Sequence, residues 1–164
     1  MAVQSKDSYS IEHKPLHVGQ LANLKLFDSV SGLVGAESIT FGKGVVRNGN
    51  KIKLAVNQSE AQKFLGVVMY ELNRAVELAQ DGKVEANSDA TIITMGDIAV
   101  RTETSTNVGD AVYLVYGSSG RGNFSNSATE AQILDSWEWK TSTSANEIGV
   151  IGLKANIILP VASE

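Results

Sequence analysis

Two histidines, His13 and His17, are the candidates in this sequence for a metal pair or for acid–base catalysis. Their spacing of four residues would place two metal ligands on one face of a helix. Pro15 lies between them and disfavours a helix, and the surrounding segment is polar and aperiodic. A Ser-His-Asp triad also needs a histidine that is held rigidly by a third group. We therefore predict no metal site and no histidine-based catalysis.

Acidic residues are the other source of chemistry, because two carboxylates in one cleft can support glycoside hydrolysis. The candidates are Asp97, Glu103, Asp110, Asp135 and Glu138. Most of them stand next to turns or on the polar face of an alternating strand, where a carboxylate is normally solvated. The chain has no cysteine, which excludes disulfides, thiolate nucleophiles and cysteine-ligated zinc. We predict no catalytic residue and no cofactor, and we expect that the protein is not an enzyme.

Two glycine-rich stretches resemble nucleotide-binding motifs only in part. G-S-S-G-R-G (117–122) lacks the Gly-Lys-Ser/Thr ending of a phosphate loop, and no helix follows that could hold an anion at its N-terminus. F-G-K-G-V-V (41–46) lacks the third glycine of a dinucleotide fingerprint. We interpret residues 117–127 as a flexible surface loop, and 41–46 as part of a strand whose backbone packs closely.

The stretch D-S-W-E-W-K-T (135–141) places Trp137 and Trp139 on one face of a predicted strand. Tryptophan buries a large area and keeps one polar group, so it is common in cores and at binding hot spots. Three interpretations follow: core packing, which is the default, a protein interface, and a platform for stacking on a sugar. Trp137 and Trp139 are thus the candidate interface residues.

Composition is typical of a soluble globular domain, with 164 residues, 43% hydrophobic and 20% charged. The net charge of −4 and the singly scattered lysines and arginines argue against nucleic acid as a partner. No apolar run approaches the roughly 20 residues that cross a membrane, and no secretion signal is evident. The absence of cysteine suits synthesis in a reducing cytoplasm. Residues 1–15 are expected to form a flexible N-terminal arm, either a loose tail or a segment that orders on a neighbouring subunit. Residues 16–164 are expected to form a single β-rich domain.

Local patterns predict short β-strands along most of the chain. F-L-G-V-V-M-Y (64–70) is a continuous apolar run, typical of a strand that is buried on both sides. Asn48-Gly49 predicts a hairpin between I-T-F-G-K-G-V-V-R and K-I-K-L-A-V, because both residues tolerate positive φ. Ser59 is a candidate cap for one helical turn. Gly96 predicts a bulge or tight bend between two strands.

Other segments remain open between two structures. E-L-N-R-A-V-E-L-A-Q-D-G (71–82) has helical periodicity but also suits a long connecting loop, and L-A-N-L-K-L-F (21–27) suits a strand or a short helix. S-V-S-G-L-V-G-A (29–36) indicates turns around a short strand, and the region from Glu147 to Pro160 indicates one or two final strands. Many short strands separated by turn signals predict a mostly β fold, either a small β-barrel or a jelly-roll-like sandwich, with at most one or two short helices.

The order of the strand motifs carries a family resemblance. The motifs are G-Q-L-A-N (19–23), I-T-F-G-K-G-V-V-R (39–47), F-L-G-V-V (64–68), M-G-D-I-A-V (95–100), V-G-D-A-V-Y (108–113) and W-K-T-S-T-S-A-N-E-I-G-V-I-G-L (139–153). In this order they resemble the structural cement, or capsid decoration, proteins of tailed bacteriophages. The resemblance covers about residues 16 to 155.

This resemblance implies a β-barrel or jelly-roll-like domain that sits on the exterior of the virion. It implies that the partner is the major capsid protein, whose neighbouring subunits the protein clamps together, and that the protein is a homo-oligomer, a homotrimer in preference to a homodimer. No catalytic residue of the family is carried over. The alternative function is a carbohydrate-binding or host-adhesion module on the virion that uses Trp137 and Trp139.

Overall fold

The computed structural model describes residues 16–23, 26–71 and 82–154, and this part of the chain is mostly β, as predicted. The strands are β1 (Asp28–Val34), β2 (Ile39–Thr40), β3 (Gly44–Asn48), β4 (Lys51–Lys53), β5 (Phe64–Val68), β6 (Lys83–Val84), β7 (Asp89–Met95), β8 (Ile98–Arg101), β9 (Ala111–Val115), β10 (Phe124–Ser125), β11 (Ala131–Trp139) and β12 (Ile148–Leu153). One short helix, α1 (Gln58–Ala61), lies between β4 and β5. The predicted arm, most of the predicted helix at 71–82 and the end of the last predicted strand region lie outside the described residues.

The first half of the described chain forms a closed five-stranded barrel in the order β1-β4-β3-β5-β7. Only β1 and β4 pair in parallel, and they do so over two residue pairs, Leu33 with Lys51 and Val34 with Ile52. β5 lies between β3 and β7, where Val67 and Val68 are fully buried. The prediction of a strand buried on both faces is therefore confirmed.

The second half forms a five-stranded antiparallel sheet in the order β10-β9-β11-β12-β8. Its two outer strands curl toward each other, because Thr102, directly after β8, bridges to Phe124 in β10. The backbone N–H of Glu103 also donates to the carbonyl of Phe124 at 2.8 Å. The sheet is thus rolled until its edges meet. A two-stranded ribbon of β2 and β6 completes the fold.

Two apolar clusters follow from this arrangement. One fills the barrel, and the other lies between the barrel and the rolled sheet. β5 serves both, because Val68 faces the barrel interior and Val67 faces the rolled sheet. Alternate side chains of a strand point to opposite faces, so a strand between two cores must be apolar at every position. This requirement explains the continuous apolar run of F-L-G-V-V.

The chain passes from the barrel to the rolled sheet at Gly96, between β7 and β8. Gly96 has φ of 131°, a conformation that residues with a side chain rarely adopt. A Cβ at this position would lie 2.9 Å from the Cβ of Phe27. The tight bend predicted at Gly96 is therefore confirmed, and it is the corner at which the chain changes sheet.

Several local predictions are corrected in detail. The hairpin joining β3 and β4 exists, but Asn48 pairs with Lys51, so its turn is Gly49-Asn50 and not Asn48-Gly49. Only Gly49 of these residues has positive φ, at 61°. The helical turn exists too, but its cap is Asn57, whose side chain accepts from the N–H of Glu60 at 2.9 Å; Ser59 lies inside the helix.

Strand boundaries near two glycines also differ from the predictions. Gly32 lies inside β1, where a turn was expected, and its missing side chain leaves room for Ile92 and Ile52 inside the barrel. The predicted strand 39–47 is interrupted by a turn at Phe41 and Gly42, which separates β2 from β3. No described helix is long and apolar enough to span a membrane.

Candidate functional site

Four of the five candidate carboxylates have structural hydrogen-bond partners among the described residues. The carboxylate of Asp97 accepts from Asn23 Nδ2 at 2.5 Å, and that of Glu103 accepts from Asn123 Nδ2. Glu138 accepts from Lys140 Nζ at 2.6 Å. Asp135 is exposed. Within residues 16–23, 26–71 and 82–154, no cluster of acidic residues and histidines has the form of a metal site.

Asp110, the fifth candidate, closes the turn that leads into β9. Its carboxylate accepts from Asn126 Nδ2 at 2.8 Å and from the N–H of Asn107 at 2.9 Å. Both hydrogen bonds stabilise the charged form and so hold the pKa of Asp110 below its usual range. The hydrogen bond from Asn126 has the larger effect, and that from Asn107 the smaller. The role of this carboxylate is to organise the loop.

The lowered pKa gives a prediction for stability against pH. A carboxylate whose folded pKa lies below its unfolded value adds stability that is present above the unfolded pKa, about 4, and is lost as pH falls through the folded pKa. We expect Asp110→Asn to lower the free energy of unfolding by about 1–2 kcal/mol at pH 7, and the difference from wild type to shrink below about pH 4. Urea unfolding at pH 7, 5 and 3 measures this. Asp135→Asn, at an exposed position, is the control, and an equal pH dependence in both variants would contradict the assignment.

Residues 120–125 of the glycine-rich segment form a structural junction, whereas Ser118 and Ser119 are exposed, as predicted for a surface loop. Lys43 Nζ donates to the carbonyl of Arg121 at 2.8 Å and to Asn123 Oδ1 at 2.6 Å. The N–H of Gly44 donates to the carbonyl of Gly122 at 2.8 Å. Asn123, Phe124 and Ser125 are 9%, 0% and 4% exposed. The prediction of a flexible surface loop over 117–127 is thus wrong for 120–125, because this segment ties the barrel to the rolled sheet.

Asn123 is the centre of this junction, since its side chain accepts from Lys43 and donates to Glu103. Asn123→Ala leaves both of these groups without that partner in a nearly buried position. We expect the free energy of unfolding to fall by about 1–3 kcal/mol. Asn50→Ala, in the exposed hairpin turn, is the matched control and should change it by less than about 0.5 kcal/mol. Equal effects in the two variants, measured by urea unfolding, would show that the junction is unimportant.

Trp137 and Trp139 lie in the core between the barrel and the rolled sheet, at 5% and 0% exposure. Phe64 packs edge-to-face on Trp137, with ring centroids 6.0 Å apart, and Trp139 Nε1 donates to the carbonyl of Ser125 at 3.4 Å. This is the default interpretation of the sequence. Almost none of either indole reaches the surface in this conformation, and their role as interface residues stays a prediction.

His17 lies at the surface, where its ring stacks on Tyr70 with centroids 5.3 Å apart. His13 lies outside the described residues, so the prediction that the two histidines form no metal site stays a prediction. The segment around His17 instead joins the two halves of the fold: the N–H of Gly19 donates to the carbonyl of Ala99 at 2.7 Å, and the carbonyl of Gly19 accepts from Tyr70 at 2.8 Å.

The described outer surface carries exposed apolar side chains. The most exposed large apolar side chain of the described residues is Leu26, at 82%, and Phe27 beside it is 43% exposed. Both directly precede β1. Sequence reasoning missed this patch, since L-A-N-L-K-L-F was interpreted only as a strand or short helix.

Comparison with known proteins identifies the class of this protein. A family model described as "Structural cement protein (E217 gp24/Pam3 gp6)" matches residues 4–154. This chain belongs to that family. The resemblance found in the sequence is therefore confirmed, and the role of this structural cement protein is a structural one in the phage capsid.

A solved structure shows the same fold. A chain from "The capsid of Myoviridae Phage XM1" matches this cement protein with a TM-score of 0.71 and 15% sequence identity, over 93% of this chain and 99% of that one. At 15% sequence identity, this similarity shows a shared fold and no more. Comparison with curated proteins gave no significant match.

Proposed function

We propose that this protein binds the outer surface of a bacteriophage capsid and stabilises the contacts between neighbouring subunits of the major capsid protein. The observation that carries the proposal is the match of the structural cement family over residues 4–154. The protein is made in the cytoplasm of the host and joins the exterior of the virion. Nucleic acid and membranes are not among its partners in this proposal.

The physical features of the chain suit such a role. β5 contributes to both apolar clusters, and Lys43 binds Asn123, so the barrel and the rolled sheet are held together. A net charge of −4 gives little attraction for packaged DNA. Contacts that exist only in the assembled shell stabilise that shell. An oligomer that makes several weak contacts at once binds more tightly than one subunit, because the first contact raises the effective concentration for the others.

The direct test is to mix the purified protein with empty shells of the matching phage and to image the particles by electron cryo-microscopy. We expect saturable density on the exterior that follows the symmetry of the shell, and decorated shells that withstand higher temperature. Absence of density, or density confined to the interior, would overturn the proposal. Undecorated shells heated in parallel are the control.

The alternative of a sugar-binding module loses its support, because it depended on accessible tryptophans. Trp137 and Trp139 are the two tryptophans of the chain, and both are buried in the core. No other feature of the described surface favours a carbohydrate ligand, so we do not propose this function.

Residues 1–15 are proposed to be an arm that reaches across the capsid lattice, and 16–164 to be the domain that binds. The arm is polar and precedes a segment that is hydrogen-bonded to both halves of the fold at Gly19. We expect deletion of residues 1–15 to reduce the occupancy of shells severalfold at subsaturating protein and to leave urea unfolding of the domain unchanged. Equal occupancy of shells by both proteins would refute the role of the arm.

The proposed function includes a homo-oligomer. A homo-oligomer engages several lattice positions together, and the family resemblance favoured a homotrimer over a homodimer. This preference stays a prediction, which the mass of the protein in solution decides.

A further inference from the structure

Apolar side chains gather at Gly96, the corner where the chain passes from the barrel to the rolled sheet. A Cβ at Gly96 would lie 2.9 Å from Cβ of Phe27 and 3.6 Å from Cδ2 of Leu21, so these two residues flank the corner. Leu21 is partly buried against the cluster between the barrel and the rolled sheet. Phe27 and Leu26, in contrast, are 43% and 82% exposed. The corner thus carries an apolar surface that the described residues leave open.

Strand β12 runs toward the same corner. β12 and β8 are antiparallel, with Ile151 opposite Ile98, so the residues that follow Ile151 run back along the chain toward Gly96. A Cβ at Gly152 would collide with Oδ1 of Asp97, which places Gly152 beside Asp97 as this register requires. Leu153 is the next residue, and it is only partly buried. We refer to Leu21, Leu26, Phe27 and Leu153 together as the corner patch.

The chain leaves the described fold beside this patch. The N–H of Lys154 donates to the carbonyl of Ser136 at 2.9 Å, so Lys154 is still held against β11, and it is exposed. Neighbouring strands are about 4.8 Å apart, so Leu153 and Phe27, which lie on either side of Gly96, are separated by roughly 10 Å. Residues after Lys154 therefore start within a few residues' reach of the most exposed part of the patch.

The residues that follow Lys154 are mostly apolar. They read A-N-I-I-L-P-V-A-S-E (155–164) and include Ile157, Ile158, Leu159 and Val161. This C-terminal segment lies beyond residues 4–154, which the family model matches. An extended chain spans about 3.3 Å per residue, so residues 157–161 can reach the corner patch from Lys154. Consecutive apolar residues are unfavourable in water, so this segment needs an apolar surface to cover it.

We propose that the corner patch is the docking surface for the C-terminal segment of the same chain, whose apolar side chains cover Leu26 and Phe27. Docking removes apolar surface of both the patch and the segment from water. A tether of a few residues gives an effective concentration on the order of millimolar. The segment of the same chain is thus favoured over that of a second copy, which is present only at the concentration of the protein.

The docked segment hides the corner patch while the protein is free in solution. Contiguous exposed apolar surface promotes association with other proteins, and a cover made by the chain itself prevents it. The proposal concerns the free protein and does not depend on the proposed binding to shells. Its tests use the full chain without shells, so its failure is separate from a failure of the proposed function.

The reactivity of an introduced thiol tests whether the patch is covered. The chain has no cysteine, so Leu26→Cys provides a single thiol at the patch. Its rate of reaction with a maleimide is compared with that of a protein that also carries Ile157→Ser, Ile158→Ser and Leu159→Ser. We expect the serine substitutions to raise the rate at least tenfold, because the polar segment no longer docks. Equal rates in the two folded proteins would overturn the proposal.

Val108→Cys is the matched control for this experiment. Val108 is 65% exposed, and its N–H donates to Ser142 Oγ in the loop that leads into β12, away from the corner patch. The three serine substitutions should leave the reaction rate of this thiol unchanged. The same acceleration at Val108→Cys as at Leu26→Cys would also overturn the proposal, since it would show a general loosening of the fold. Circular dichroism confirms that each variant is folded.

Disulfide formation tests which chain supplies the segment. Leu26→Cys is combined in turn with Ile157→Cys, Ile158→Cys and Leu159→Cys, and a disulfide requires Cα atoms within about 7 Å. We expect at least one pair to form a disulfide within one chain at least tenfold faster than Val108→Cys combined with Ile158→Cys. Electrophoresis without reductant separates products within one chain from products that join two chains. Slow oxidation of all three pairs, or disulfides that mainly join two chains, would overturn the proposal.

Discussion

Replacing Trp139 with alanine is expected to lower the free energy of unfolding by about 3–5 kcal/mol, the range for deletion of a large buried aromatic side chain. Trp139 has no exposed surface and lies between the barrel and the rolled sheet. Gly149 packs directly on its ring, since a Cβ at Gly149 would come within 2.8 Å of it. The cavity left by alanine cannot be filled without moving β12. Urea unfolding at pH 7 measures the loss.

The control for this substitution is Val108→Ala, which shortens an apolar side chain that is 65% exposed. Its effect should lie within about 0.5 kcal/mol. If Trp139→Ala left stability unchanged and reduced only the binding to shells, the indole would be an interface group and its placement in the core would be contradicted. The same comparison thus separates two of the interpretations that the sequence allowed.

Gly66→Ala is expected to lower the free energy of unfolding by about 3 kcal/mol, at the upper end of the usual range for overpacking. A Cβ at Gly66 would lie 2.2 Å from the backbone carbonyl oxygen of Ile93 and 2.8 Å from Cγ2 of Ile92. Ile93 pairs with both β1 and β5, so its backbone is held from two sides. The barrel must open locally to admit one methyl group.

Gly49→Ala provides the comparison, because a Cβ at Gly49 meets no atom within 4 Å. Its cost should be about 1 kcal/mol, which arises from the positive φ of 61° alone. Thermal and urea unfolding of the two variants measure the difference. Equal losses would show that β5 and β7 can separate freely, contrary to the close approach in the structure.

Local signals were sufficient for some elements. The run F-L-G-V-V was predicted as a buried strand from its composition, and the β3–β4 hairpin from its turn residues, although the turn lies one residue later. Gly96 was predicted to bend the chain, and it does. In each case residues that are neighbours in the sequence decide the conformation.

Other features depended on distant residues. Segment 117–125 has the composition of an exposed loop, but Lys43 and Gly44 bind it from 78 positions away along the chain. Ser59 was predicted as the helix cap, but α1 begins at Gln58, so the cap is Asn57.

By itself the sequence determined that the protein is mostly β, that it carries no cysteine chemistry and that its ordered strand motifs are those of the structural cement family. These properties are encoded in alternation, composition and turn residues, which act over a few positions. Only the tertiary structure decided which face of β11 is buried, placing Trp137 and Trp139 in the core. The two faces of a strand are equivalent until another sheet packs on one of them, so this choice belongs to contacts between residues far apart in the chain.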